Sequence, residues 1–240
     1  MSTFLIIVIV FSLFIIIMKS NIHIDFKSFF KKGFKKIDNK FGIICYTAKQ
    51  GMGKTYCAVD FILKQLKKDK YLRVFTNVKS FYDCIQKSLY KDRVFYLPNI
   101  NDIMIESKKN DCFHTLIFFD EIFTILEKKT SLRADILSFL SQLRKRRILF
   151  VTTAQEWSEI NITFRRYVRY QVVPRMIPFL FHYAVIFKDI NDGDLIHWDN
   201  DLQDFVAPRI ELQISKGLKS VIDMYDTFET IPMSNLISKY

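Results

Sequence analysis

From Phe41 to about Tyr170 the chain alternates short apolar runs with longer amphipathic stretches. The runs Phe41–Tyr46, Leu72–Thr76, Val94–Leu97, Thr115–Asp120, Ile148–Thr152 and Val168–Val173 read as strands, and the stretches between them as crossover helices. Strand and helix in alternation is the pattern of an α/β domain whose mainly parallel sheet is flanked by helices. Further on, His182–Lys188 and Asp194–Trp198 flank Asn191-Asp192-Gly193. That turn chemistry predicts a C-terminal β-hairpin.

The start of the chain has a different texture. Phe4 to Met18 is apolar except for Ser12, about 22 Å of helix at 1.5 Å per residue and slightly short of a standard membrane span. No basic residue precedes the run and no small-residue cleavage site follows it, so an uncleaved N-terminal transmembrane anchor is expected rather than a signal peptide. A helix buried in the domain or between subunits is the alternative. Lys19, Lys27, Lys31, Lys32, Lys35, Lys36 and Lys40 follow, against Asp25 and Asp38, which by the positive-inside tendency places the rest in the cytoplasm, at a host inner or cytoplasmic membrane. Phe26, Phe29, Phe30 and Phe34 among those lysines suit a surface-lying amphipathic segment or a solvated linker. The expected organisation is an anchor at 1–20, a basic linker at 21–40, a core at 41–178, and a hairpin and tail at 179–240 packed on the core.

Composition narrows the partners. In 240 residues, half of them hydrophobic and 24 of them Phe, there is material for one well-buried domain with a small appendage, which excludes a disordered tail. A net charge of +11 favours nucleic acid, anionic lipid or nucleotide. Cys45, Cys57, Cys84 and Cys112 form no CxxC pair and read as structural thiols of a reducing compartment. The four histidines are scattered, so no zinc constellation, serine triad or cysteine nucleophile competes for the chemistry.

The strongest chemical signal is Ala48-Lys49-Gln50-Gly51-Met52-Gly53-Lys54-Thr55, between the first apolar run and the amphipathic stretch opened by Tyr56. Strand, glycine-rich loop and helix is the context of a phosphate-binding loop. The glycines let backbone N–H groups turn inward around an anion, the helix N-terminus adds partial positive charge, Lys54 reaches the outer phosphates and the Thr55 hydroxyl can ligate Mg²⁺. Ala48 stands where the consensus has its first glycine. ATP and Mg²⁺ are the implied ligands. A second signal is Thr115-Leu116-Ile117-Phe118-Phe119-Asp120-Glu121, an apolar strand ending in two acids. Neighbouring strand residues face opposite ways, so both acids can serve one site only if the chain turns there. Asp120 is then the metal-linked carboxylate, and Glu121 the one that polarises an attacking water.

A third apolar run, Ile148 to Thr152, leads into Thr153, Ala154 and Gln155. In order and spacing these signals resemble the FtsK/HerA superfamily of DNA-pumping ATPases, a RecA/ASCE-like P-loop NTPase fold, and within it the zonula occludens toxin-like assembly proteins of filamentous phages. Thr76-Asn77, Ile160-Asn161, Arg165 and Tyr225-Asp226 look like further landmarks. The resemblance implies that the third strand lies between the other two and that Gln155 at its tip senses the γ-phosphate. It also implies an oligomeric motor, expected as a hexameric ring, moving DNA without reading its sequence during phage assembly, in contact with phage coat or assembly proteins. In the superfamily an arginine from a neighbouring subunit completes the site, and Arg144 and Arg147 in Arg144-Lys145-Arg146-Arg147 are its candidates; a solvated basic helix end is the alternative. The phage proteins usually carry the membrane segment after the ATPase domain, whereas here the apolar run comes first, as in conjugative coupling ATPases. Genome packaging in a tailless virus is a further alternative, and a nucleotide-switched membrane scaffold is the reading from another class.

Overall fold

The computed structural model describes Ser12 and residues 41–109, 114–122, 133–177, 182–189, 197–199, 204–206, 209–216 and 219–226. All six expected strands form: β1 (Gly42–Thr47), β2 (Arg73–Thr76), β3 (Val94–Tyr96), β4 (Thr115–Phe119), β5 (Ile148–Ala154) and β6 (Val168–Ile177). They lie parallel in the order β3-β2-β4-β5-β1-β6. The helices between them are α1 (Lys54–Lys68), α2 (Lys79–Ile85), α3 (Ile100–Lys109), α4 (Ala134–Gln142) and the short α5 (Ile162–Arg165).

The strands read as unbroken apolar runs because helices cover both faces of the sheet. Alternate residues feed two cores. Ile44, Tyr46, Val74, Leu116, Phe118 and Val151 pack with Ala58, Ile62 and Leu66 of α1 and with Phe81 of α2. Ile43, Cys45, Ile117, Phe119 and Phe150 pack on the other side with Ile103 and Met104 of α3 and Phe139 and Leu140 of α4. Phe81 meets Phe118 edge-on, their ring centroids 6.0 Å apart, the geometry aromatic quadrupoles favour.

The predicted C-terminal hairpin is corrected by the pairing. β7 (His182–Asp189) is antiparallel to β6 on one side and to β10 (Arg209–Lys216) on the other, while β8 (His197–Asp199) pairs with β9 (Asp204–Val206) in a separate two-stranded sheet. β7 therefore does not pair with the strand after Asn191-Asp192-Gly193. Its hairpin partner precedes it, across residues 178–181, with Ile177 opposite His182. A turn signal marks where a chain can reverse, but the open edge of β6 decided which strand β7 joined. Residues 190–196 lie outside the described residues.

After β10 comes α6 (Lys219–Ile222). Val221 enters the α1-side core, the Cys84 thiol donates to the Asp223 carbonyl at 3.4 Å, and the Asp226 N–H donates to Ser80 Oγ at 3.0 Å. The tail segment through Asp226 is thus docked on α2. Among the described residues no helix is long and apolar enough to cross a membrane. The expected anchor at 1–20, apart from Ser12, and the linker at 21–40 lie outside those residues.

Candidate nucleotide-binding site

β1 ends at Thr47, and the loop from Ala48 to Gly53 returns the chain into α1. Gly51 and Gly53 both hold φ near +79°, the left-handed region that L side chains avoid. A Cβ on Gly51 would meet nothing within 4 Å, so conformation rather than space calls for glycine there. Gly53 caps α1, and the Cys57 N–H donates to its carbonyl at 2.9 Å. The first N–H groups of a helix have no acceptor within it, so the loop delivers Lys54, Thr55 and Tyr56 at a helix start suited to an anion. Lys54 and Tyr56 are buried and Thr55 is half-buried, while Lys49, Gln50 and Gly51 are exposed on the loop.

The acidic pair meets this loop from the neighbouring strands. β4 stops at Phe119, and Glu121 takes φ +55°, so the chain turns at the strand end as two cooperating acids require. Thr55 Oγ1 lies 3.5 Å from both carboxylate oxygens of Asp120. β5 runs between β1 and β4, where a γ-phosphate sensor is expected. The Ala48 N–H donates to the Ala154 carbonyl at 3.3 Å, so Gln155, half-buried, leaves β5 beside the phosphate loop.

Two residues hold Asp120 and Glu121 in a way the sequence did not reveal. Thr153 Oγ1 donates to the Asp120 carboxylate and accepts the Glu121 N–H at 2.9 Å. Asn77 clamps the Asp120 backbone from both sides: its Oδ1 accepts the Asp120 N–H at 2.8 Å, and its Nδ2 donates to the Asp120 carbonyl at 3.2 Å. The resemblance marked Asn77, with Thr76, as a landmark after the second strand, but nothing local says that it faces Asp120, 43 residues away. Asn161, another landmark, accepts the Thr163 N–H at 2.8 Å as the N-cap of α5. Its structural contact is therefore local.

Burial pushes the Asp120 carboxyl up to about 6; the Glu121 charge adds to the rise, while the Thr153 hydroxyl and the Lys54 ammonium oppose it. A buried carboxylate with a cation and a hydroxyl nearby is an incomplete charge arrangement that a cation would complete. The donors offered by Thr55 and Asp120 are all oxygen and few, which fits Mg²⁺, an ion that keeps several ligands as water and phosphate oxygens. Among the described residues no group of three or more His, Cys, Asp or Glu could hold a metal by themselves.

Arg144 and Arg147 are not brought to this site within one chain. They precede β5, whereas the phosphate loop meets its far end, about 20 Å away along six residue steps of roughly 3.3 Å each. The Arg144 guanidinium instead lies 5.9 Å from the Phe41 ring centroid.

A parallel sheet with a glycine loop opening α1, and an acidic pair one strand removed at the same edge, defines an α/β P-loop NTPase fold. Among solved structures, the fold is similar to the N-terminal domain of zonular occludens toxin from Neisseria meningitidis, at a TM-score of 0.50 and 18% identity, over 78% of this chain and 100% of that one. The genome packaging NTPase of Sulfolobus turreted icosahedral virus 2 superposes less closely, at a TM-score of 0.48 and 14% identity over 75% of this chain and 98% of that one. At the level of sequence, no family model and no curated protein matches the chain.

Proposed function

We propose that this chain is a membrane-anchored ATPase that uses ATP hydrolysis to move DNA, as in the assembly and extrusion of a phage. The observation that carries the enzymatic part is the meeting of Thr55, Asp120, Thr153 and Glu121 around the mouth of the phosphate loop. In this reading Gly51, Gly53 and Lys54 bind the β- and γ-phosphates, and Thr55 and Asp120 hold Mg²⁺. The ion, when bound with nucleotide, neutralises phosphate charge. Glu121 accepts a proton from the water that attacks the γ-phosphorus, Gln155 contacts the γ-phosphate, and Thr153 keeps the two acids in register. The glutamate favours a turnover enzyme over a nucleotide-switched scaffold, which needs no water-polarising base.

The DNA and membrane parts rest on the charge of +11, the apolar run Phe4–Met18 and the lysines after it. Phosphate-directed binding by such a surface is insensitive to sequence and steeply sensitive to salt. The deciding assay is ATP turnover with and without DNA. Lys54→Ala should lose nucleotide affinity and turnover together, while Glu121→Gln should bind nucleotide normally and turn over about 10²–10⁴-fold more slowly. Equal turnover by wild type and Glu121→Gln would sink the catalytic assignment. Release of the full chain from membranes by alkaline carbonate would rule out the spanning anchor.

A further inference from the structure

The edge of the sheet opposite the phosphate loop carries a cationic surface that the catalytic site does not use. The strand register sets Gly42 beside Leu149, Ile148 beside Thr115, and Thr115 beside Arg73, so β2, β4, β5 and β1 all begin along one line. With β6 this edge spans about 19 Å, four strand spacings of roughly 4.8 Å. Lys67, Lys68, Lys70 and Arg73 are exposed before and at the start of β2. Arg144, Lys145 and Arg147 are exposed before β5. Among the described residues the acids near this edge are Asp69, which lines a cleft in it and is paired at 2.5 Å with His114, Glu106, paired with Lys109 at the end of α3, and Asp92, exposed beside the start of β3.

A cleft of about 590 Å³ opens in this edge. Its floor includes the buried Leu72, Leu116 and Leu149, and Lys68, Lys70 and Arg147 also line it. Tyr71, 78% exposed, stands at the same mouth. An apolar floor under a basic rim with an exposed tyrosine suits a phosphodiester headgroup joined to a glycerol and acyl chain. The chain also enters the fold at this edge: the guanidinium groups of Arg144 and Arg169 lie 5.9 Å and 5.3 Å from the Phe41 ring centroid, and Arg169 donates to the Phe41 carbonyl at 3.4 Å. The forty residues before it contain the apolar run and the seven lysines.

We infer that this edge rests on an anionic lipid surface, with the cleft taking a lipid headgroup and the phosphate loop turned away toward the cytoplasm. The inference builds on the membrane-anchored reading and names the face that meets the bilayer. A polybasic patch gains affinity with every lysine or arginine near anionic headgroups and loses it within a Debye length of salt. Apolar area under the rim accounts for seating a headgroup rather than a bare phosphate chain.

The test uses the full chain in vesicles of pure phosphatidylcholine, and in vesicles in which a third of the lipid is phosphatidylglycerol. Co-flotation with the neutral vesicles reads the anchor alone. Hydrogen exchange then reads the edge: residues 67–73 and 143–149 should be protected on the anionic vesicles relative to the neutral ones, and residues 48–55 should not differ. Lys68→Glu/Lys70→Glu/Lys145→Glu should erase that protection while still floating with neutral vesicles and hydrolysing ATP at the wild-type rate. Failure to float with neutral vesicles, with edge protection kept on anionic ones, would remove the anchor and leave the edge assignment standing. Equal exchange on the two bilayers would overturn the inference. If a DNA duplex added to the neutral vesicles protects these segments and phosphatidylglycerol does not, the edge belongs to nucleic acid instead.

Discussion

One hydroxyl, that of Thr153, donates to the Asp120 carboxylate and accepts the Glu121 N–H, so both acids depend on it for orientation. Hydrogen bonds to charged groups contribute about 1.5–3 kcal/mol, which corresponds to roughly 10–100-fold in rate when the bond positions a catalytic group. Thr153→Val, close to isosteric, should therefore lower kcat by that factor with KM for ATP nearly unchanged, and Thr153→Ser should restore most of it. A steady-state comparison of the two variants checks this, and equal losses in both would point to packing instead. Asp120 allows a second prediction. In EDTA its carboxyl, near 6 in the fold, sits above its ordinary 3.8. Below about pH 4 both folded and unfolded chains hold the proton; between about 4 and 6 the unfolded chain releases it while the fold keeps it, and above about 6 the fold carries a buried charge. Its contribution to stability is thus lost as pH rises from about 4 through 6. Urea denaturation of wild type and Asp120→Asn should show a gap favouring the asparagine protein that widens over that range and then levels.

Among the elements, β4 and β5 are the central pair of the six parallel strands and lead into Asp120, Glu121 and Gln155. Their side chains alternate between two helix-covered faces, so any large truncation leaves a cavity the flanking helices cannot fill. Phe150, 1% exposed in the core shared with α3 and α4, should cost about 3–5 kcal/mol as Phe150→Ala, measured by chemical denaturation. The end of α4 shows a different constraint. Arg147 takes φ +54°; its N–H donates to the Arg144 carbonyl at 3.3 Å and that of Ile148 to Leu143 at 2.9 Å. This is the closing pattern of a helix that ordinarily ends on glycine. An arginine held in that conformation, at a cost of roughly 1–2 kcal/mol, fits a position kept for its charge.

At the scale of the molecule, the two edges of the parallel sheet divide the labour. One gathers the phosphate loop, Asp120, Glu121 and Gln155. The other gathers the basic residues and the entry of the chain. Arg144 and Arg147 lie on the second edge, so they can reach a γ-phosphate only on another protomer whose phosphate loop is brought against them, an arrangement that competes with seating the same edge on a bilayer. A ring predicts turnover that rises with protein concentration, and recovery when two inactive proteins are mixed. If Lys54→Ala mixed with Arg144→Ala/Arg147→Ala regains part of the wild-type rate, a sound phosphate loop in one subunit meets a sound arginine in the next; an edge held on lipid predicts no recovery. If the arginine double variant alone hydrolyses ATP at full rate, the finger lies elsewhere, and Arg165 at the end of α5 or Arg166, which caps that helix, is next to be tested.

All six parallel strands, the phosphate loop and the acid pair were legible in the sequence because each is a local code. Apolar runs of strand length, glycine where φ is positive, and charge at a strand end depend on neighbours within a few residues. Partnership is not local. The pairing of β7 with β6 and β10, the clamp of Asn77 on Asp120 and the placement of Arg144 and Arg147 at the far edge all join residues by register across the sheet. A strand carries the same unpaired N–H and C=O groups whichever neighbour it meets. Periodicity therefore determined which segments become strands, while the packed sheet decided which stand side by side and which side chains share a site.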